Sequence, residues 1–242
     1  MRYGDGGCRV IHKCIFQGLG QCVTWRFVVL GSMRGEVKQA EQEEVMLQWL
    51  QYLVTAFWKE QEMDLKETRI DSAVVYEGSF IKVRKDHARM PDGQVHIREY
   101  ITHPGAVAVL ALLDNGNLLL ERQFRYAPQR EFVELPAGKI DPGEDILLCA
   151  QRELLEETGY VAAEWAHLAT SWPCIGYADE HIEYFLARGL SHQGSQLDDG
   201  EFLEVFELSL NDAMDWVRQG KINDSKTIVG LFWLEKTLRE WK

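Results

Sequence analysis

Residues 138–160 read GKIDPGEDILLCAQRELLEETGY, a glycine-punctuated turn that runs straight into an amphipathic helix. Pro142-Gly143 forces the turn, and Gly138 permits close approach of the backbone. At about 100° per residue, with Glu153 set to zero, Glu156 falls near −60° and Glu157 near +40°. Leu147, Leu148, Leu154 and Leu155 occupy the opposite side, so one face packs and the other carries three carboxylates. Asp145 suits an N-cap, and Gly159 suits the left-handed position that ends a helix. Carboxylates three and four residues apart repel one another. A hard divalent cation, which takes oxygen ligands, relieves that repulsion. A solvated acidic face is the plain alternative, but the loop set at fixed spacing before the helix favours a site.

Working outward, the chain from Ser72 reads as short strands. Residues 73–77 and 80–84 alternate around Gly78, and 95–102 follows the turn signal Pro91-Asp92-Gly93. Residues 106–113 are nearly all apolar, as a central strand should be. The turn 114–117 leads to a strand at 118–124, and 132–135 runs into the glycine loop. Further strands are expected at 164–171, 182–187 and 202–208, with helices at about 211–219 and 225–240. Strands mixed with helices in this order predict an α/β (α+β) sandwich.

The first 62 residues differ. They hold three of the five cysteines, show no strand pattern, and contain one expected helix at about 36–61. Met63 would serve as a natural start. Residues 1–62 are expected to be an extension created by an upstream start codon, in preference to a disordered or helical annex.

Charge narrows the function classes. The net charge is −12, and residues 1–62 are balanced at seven basic and seven acidic side chains, so the excess lies in 63–242. Such a field disfavours nucleic acid and anionic membrane as partners. A small anionic substrate stays compatible, because a bound metal reverses the local sign. No apolar run reaches the ~20 residues of a membrane span, and no signal-peptide pattern opens the chain. Cysteines at 8, 14, 22, 149 and 174 show no Cys-x-x-Cys spacing. Reduced thiols in a cytoplasmic protein are expected, and a zinc site is not.

The run Gly138…Glu144…Arg152-Glu153…Glu156-Glu157…Gly159 resembles the signature of the Nudix hydrolases. Only the final Tyr160 departs from the aliphatic residue usual there. Glu121 to Tyr126, Glu134-Leu135-Pro136-Ala137-Gly138, Pro173 and the Gly-Lys-Ile-Asn run at 220–223 are similar to the ADP-ribose pyrophosphatase subgroup. The resemblance implies a Nudix-type α/β/α sandwich with a mixed sheet over 103–242. Before it comes a small antiparallel sheet over 63–102 that helps build a homodimer.

By that resemblance Glu153 and Glu157 hold Mg²⁺ (Mn²⁺ being the alternative ion), Glu156 assists catalysis and metal binding, and the Ala137 carbonyl adds a ligand. Arg152 pairs with Glu144 to tie loop to helix, and Gly138 and Gly159 serve the motif's backbone. Glu201 is expected as general base on a loop at 189–201, with Asp199 and Glu204 as alternatives. Arg125 is expected to grip a phosphate or ribose, Arg98 to approach the nucleotide from the annex, and Glu134 to touch a metal or Arg125. Trp172 and Tyr177 are offered for stacking on adenine. The implied reaction is hydrolysis of ADP-ribose to AMP and ribose 5-phosphate. The alternatives are another nucleoside diphosphate sugar or a dinucleotide as substrate, or a nucleotide-sensing module without catalysis.

Overall fold

The computed structural model describes residues 64–194 and 202–240, together with the backbone of 15–18 and 21–24. The chain divides into two units, Met1–Met63 and Asp64–Lys242. In the first, β1 (Ile15–Gly18) and β2 (Gln21–Thr24) form an antiparallel hairpin. This corrects the expectation that no strand occurs there. The two runs are four residues each, too short for alternation to stand out. The helix expected at 36–61 lies outside the described residues.

The second unit opens with an antiparallel sheet of β3 (Thr68–Glu77), β4 (Lys82–Arg89) and β5 (Val95–Thr102). Every residue of β3 is exposed in the single chain. Its second half, 73–77, was expected from the sequence, and its first half was not.

The body follows: β6 (Ala106–Ala111), β7 (Asn117–Arg125), β8 (Arg130–Glu134), β9 (Ala137–Lys139), α1 (Ile146–Thr158), β10 (Tyr160–Ser171), β11 (Ile182–His192), β12 (Leu203–Ser209), α2 (Leu210–Arg218) and α3 (Ser225–Glu240). One sheet runs β10-β11-β6-β9, with β6 parallel to β11 and antiparallel to β9. A second runs β12-β7-β8.

Alternation along β6 builds the layers. Val107, Val109 and Ala111 face a core shared with Cys149, Ala150 and Leu154 of α1. Ala108 and Leu110 face a core shared with Ala213 and Met214 of α2 and Leu231 and Leu234 of α3. A sheet covered on both faces by helices is the α/β/α arrangement expected. Each fully buried aliphatic side chain in these cores contributes about 1.5–3 kcal/mol.

The short strand β9 was not expected from the sequence. It pairs Ala137 with Ala108 and Gly138 with Val107 through backbone alone. That pairing holds the glycine loop against the central strand, directly below α1.

Candidate active site

Local sequence fixes α1 at both ends. Asp145 Oδ1 accepts from Leu147 N–H at 2.9 Å and Leu148 N–H at 3.2 Å. Gly159 takes φ 75°, the left-handed cap that a side chain would disfavour. In the preceding loop, Asp141 N–H donates to Glu144 Oε2 at 3.0 Å.

Arg152 ties loop to helix, as its pairing with Glu144 predicts. Its Nε meets Glu144 Oε1 at 2.9 Å and its Nη2 meets Oε2 at 3.0 Å, a bidentate fork. Nη1 also donates to Glu153 Oε1 at 2.8 Å and Glu156 Oε2 at 3.0 Å. The Arg152 guanidinium holds the Glu144 carboxyl down at about 2, and these carboxylates raise the arginine in turn.

Glu153 lies over Gly138. A Cβ built on that glycine would stand 1.8 Å from Glu153 Cδ. Glu157 points inward and is 5% exposed, and its Oε2 accepts from Ala137 N–H at 2.9 Å. Burial raises its carboxyl, and the charges of Glu121 and Glu153 raise it further. Glu121, on β7, is buried beside it and is likewise raised by burial.

Across the cleft Glu134 is 3% exposed. Arg125 clamps it with Nε–Oε1 at 2.8 Å and Nη2–Oε2 at 2.7 Å, and Lys226 Nζ adds a third contact. Burial alone would raise Glu134, but these two cations hold it below its ordinary value. Arg125, one of the two partners expected for Glu134, meets it. Leu135 N–H donates to Thr227 Oγ1 at 2.9 Å, which anchors the loop to the start of α3.

The cleft so framed has a volume of about 690 Å³, with Arg125, Glu134, Gly138, Arg152, Glu153 and Glu157 on its walls. Ala137 lines it too, whereas Glu156 stands at its edge on Arg152. Arg98 lies in a separate cleft of about 760 Å³, where both its Nε and Nη2 meet Glu67 at 2.8 Å. Tyr177 lines that second cleft, and Trp172 packs on His181 with ring centroids 5.4 Å apart. The aromatic walls of the first cleft are Phe80, Tyr126 and Phe132 instead. Glu201 and Asp199 fall outside the described residues. Glu204 is engaged by Arg122 Nε at 3.0 Å.

Sequence reasoning missed Glu121, Lys226 and Asp224, which lines the cleft and pairs with Lys226 at 3.1 Å. A signal for Glu121 existed: it interrupts the run Leu118-Leu119-Leu120, and it shares a strand face with Leu119, which packs towards α1. Lys226 gave no signal beyond one lysine near a helix start.

The donor set fits a divalent cation. Among the described residues no three His, Cys, Asp or Glu side chains form a ready cage, and Arg152 engages Glu153 and Glu156. Yet Glu121, Glu134, Glu144, Glu153, Glu156 and Glu157 outnumber the cleft's basic side chains, Arg125, Lys139, Arg152 and Lys226. The excess is negative, half-buried and made wholly of oxygen donors, which selects hard ions such as Mg²⁺ or Mn²⁺.

Comparison with known proteins agrees with this geometry. The NUDIX domain profile matches residues 102–228, and the nucleoside diphosphate sugar hydrolase N-terminal domain profile matches 67–101. The chain is 38% identical over 173 residues to the ADP-ribose pyrophosphatase of Bacillus subtilis (strain 168), covering 71% of this chain and 94% of that protein. It is 36% identical over 172 residues to the methanol dehydrogenase activator of Bacillus methanolicus, covering 70% and 93%. A GDP-mannose pyrophosphatase of Shigella flexneri is 32% identical over 156 residues, covering 60% and 81%. Among solved structures, an ADP compounds hydrolase superposes with a TM-score of 0.67 at 22% identity, covering 74% of this chain and 97% of that one, a likeness of fold.

Proposed function

The chain belongs to the Nudix family of hydrolases, and on that premise we propose that it cleaves the pyrophosphate bond of ADP-ribose to AMP and ribose 5-phosphate with Mg²⁺. The observation that carries the chemistry is the juxtaposition of Glu153 and Glu157 with the Ala137–Gly138 backbone, facing Arg125 across one cleft. The likeness to the Bacillus subtilis enzyme over almost its whole length supports ADP-ribose as substrate.

In this reading Glu153, Glu157 and the Ala137 carbonyl hold the ion, with Glu156 assisting. When bound, Mg²⁺ neutralises non-bridging phosphate oxygens and acidifies a water. Arg152 fixes the spacing between loop and helix. Arg125 spends Nε and Nη2 on Glu134, so a substrate oxyanion meets Nη1, and Glu134 orients that fork. Glu201 takes the proton from the attacking water. The commitment of Glu204 to Arg122 supports Glu201 over that alternative. A Glu201→Gln protein with full turnover would remove it from the mechanism.

The organisation proposed is the annex 63–102, the catalytic domain 103–242, and 1–62 as an extension. The profile matches at 67–101 and 102–228 support the first boundary. The annex would pair two copies in a homodimer. Its exposed Ile70 (47%), Val74 (45%), Val75 (56%) and Tyr76 (57%) support that role, since apolar patches on a sheet are usually covered. Arg98 would then serve the nucleotide from this sheet. Light scattering behind a sizing column tests it, and a monomeric mass would reject it. Among the described residues no helix is long and apolar enough to cross a membrane, and a cytoplasmic location is proposed.

Product analysis by HPLC decides the substrate. ADP-ribose, GDP-mannose, ADP-glucose and NADH are each incubated with Mg²⁺, with Glu157→Gln as control. AMP released fastest from ADP-ribose, and lost in the control, supports the proposal. Faster cleavage of GDP-mannose would favour the second reading, for which the 32% identity to the GDP-mannose enzyme speaks.

A further inference from the structure

Glu121 occupies a position where a carboxylate is costly. It is 2% exposed, and its Oε1 has no hydrogen-bond partner. A buried carboxyl oxygen left without a partner costs stability unless something positive meets it. The protein's own cations are not that partner. Arg125 and Lys226 act on it only through charge, and both are committed to Glu134. What Glu121 does meet is a second buried carboxylate, Glu157. Strand register explains the meeting. Leu119 and Glu121 share one face of β7, and Leu119 packs in the core with Ala150 and Leu154 of α1. Glu121 therefore points at the same helix two residues further along, where α1 presents Glu157.

We propose that Glu121 is a further carboxylate ligand of the divalent-cation site, supplied from the strand side against the glutamates of α1. The proposal rests on the Nudix reading of the cleft. An ion held between strand and helix would give the orphaned oxygen its partner and separate the two facing carboxylates. Such an ion has a ligand on each of two elements, so it would also fasten β7 to α1.

The test uses Mn²⁺ alone, titrated calorimetrically into the full chain at neutral pH. Glu121→Gln, Glu121→Leu and Glu157→Gln are compared with the parent protein, and each is melted in EDTA. Glu121→Gln is expected to weaken Mn²⁺ binding at least about tenfold, and Glu121→Leu further still. Neither should lower the melting temperature in EDTA, because each relieves the crowding of two carboxyl groups buried against one another. A structural role would give the opposite signature, with lower melting and unchanged Mn²⁺ affinity, and would overturn the proposal. If Glu157→Gln loses Mn²⁺ while Glu121→Gln keeps it, the proposal fails and the reading of the cleft stands. If the parent protein takes up no Mn²⁺, both fail together.

Discussion

Gly138 lies directly under the carboxyl of Glu153, so close that a methyl group there would overlap it at 1.8 Å. The need is for space, because the obstructing atoms belong to the far end of a flexible side chain. Gly138→Ala should therefore leave the melting temperature nearly unchanged while pushing Glu153 out of place. A displacement of about 1 Å at a catalytic centre costs on the order of 10²-fold in rate. Steady-state turnover of ADP-ribose, read beside a thermal melt, checks both halves. Full activity in this variant would show that Glu153 does not work from its position over the loop.

The Glu144–Arg152 fork predicts a specific acid response. The Glu144 carboxyl sits at about 2 when folded, against an ordinary value of 4.5. A depressed carboxyl stabilises the fold above its unfolded value, and the contribution disappears as pH falls through the folded one. The parent protein should exceed Glu144→Gln in stability at neutral pH, and the two should converge between about pH 4.5 and 2. Urea unfolding at stepped pH makes the comparison. Parallel curves across that interval would contradict the assignment.

Arg125 offers a test of substrate grip. Lysine keeps the charge but loses the planar fork that meets Glu134 and an oxyanion together. Loss of one charged hydrogen bond, worth about 1.5–3 kcal/mol, corresponds to about tenfold or more in KM for Arg125→Lys. Turnover at saturation should change less. An unchanged KM would leave Arg125 as a support for Glu134 alone.

Gly230 in α3 is a packing glycine. A Cβ there would stand 2.6 Å from Leu135 Cδ1, in a core where Leu135 is 1% exposed. Gly230→Ala gains about 1 kcal/mol of helix propensity. Overpacking a filled core costs about 1–3 kcal/mol. The balance favours destabilisation by about 1 kcal/mol, measurable by urea unfolding. A stabilised variant would mean that Leu135 yields readily.

Legibility in the sequence followed how each feature is held. α1 was readable because its caps and turn are written in consecutive residues, from Asp145 to Gly159, but its faces are rotated from the expected ones: Leu148 is 58% exposed, while Cys149, Ala150 and Glu157 are buried beside Leu154. The apolar run of β6 marked the centre of the sheet for the same reason. β9 was not readable, because three residues beside Pro136 pair through backbone hydrogen bonds and carry no side-chain pattern. β3 was readable only over 73–77, and its first half, 68–72, was not expected. Within the site, Glu144, Arg152, Glu153 and Glu157 come from one local run and could be placed together. Glu121 and Lys226 come from elements far along the chain, and only tertiary folding brings them beside Glu157 and Glu134.

The guanidinium of Arg152, set among Glu144, Glu153 and Glu156, has a consequence for how the molecule comes into being. An acidic helix face with no counterion would resist closing over its loop during synthesis. Here the chain supplies a resident positive charge from within the same turn of helix. Closure of the loop on the helix therefore needs no metal ion to offset these carboxylates. Under the proposed metal chemistry, an ion taken up afterwards would add its binding energy to a fold already closed.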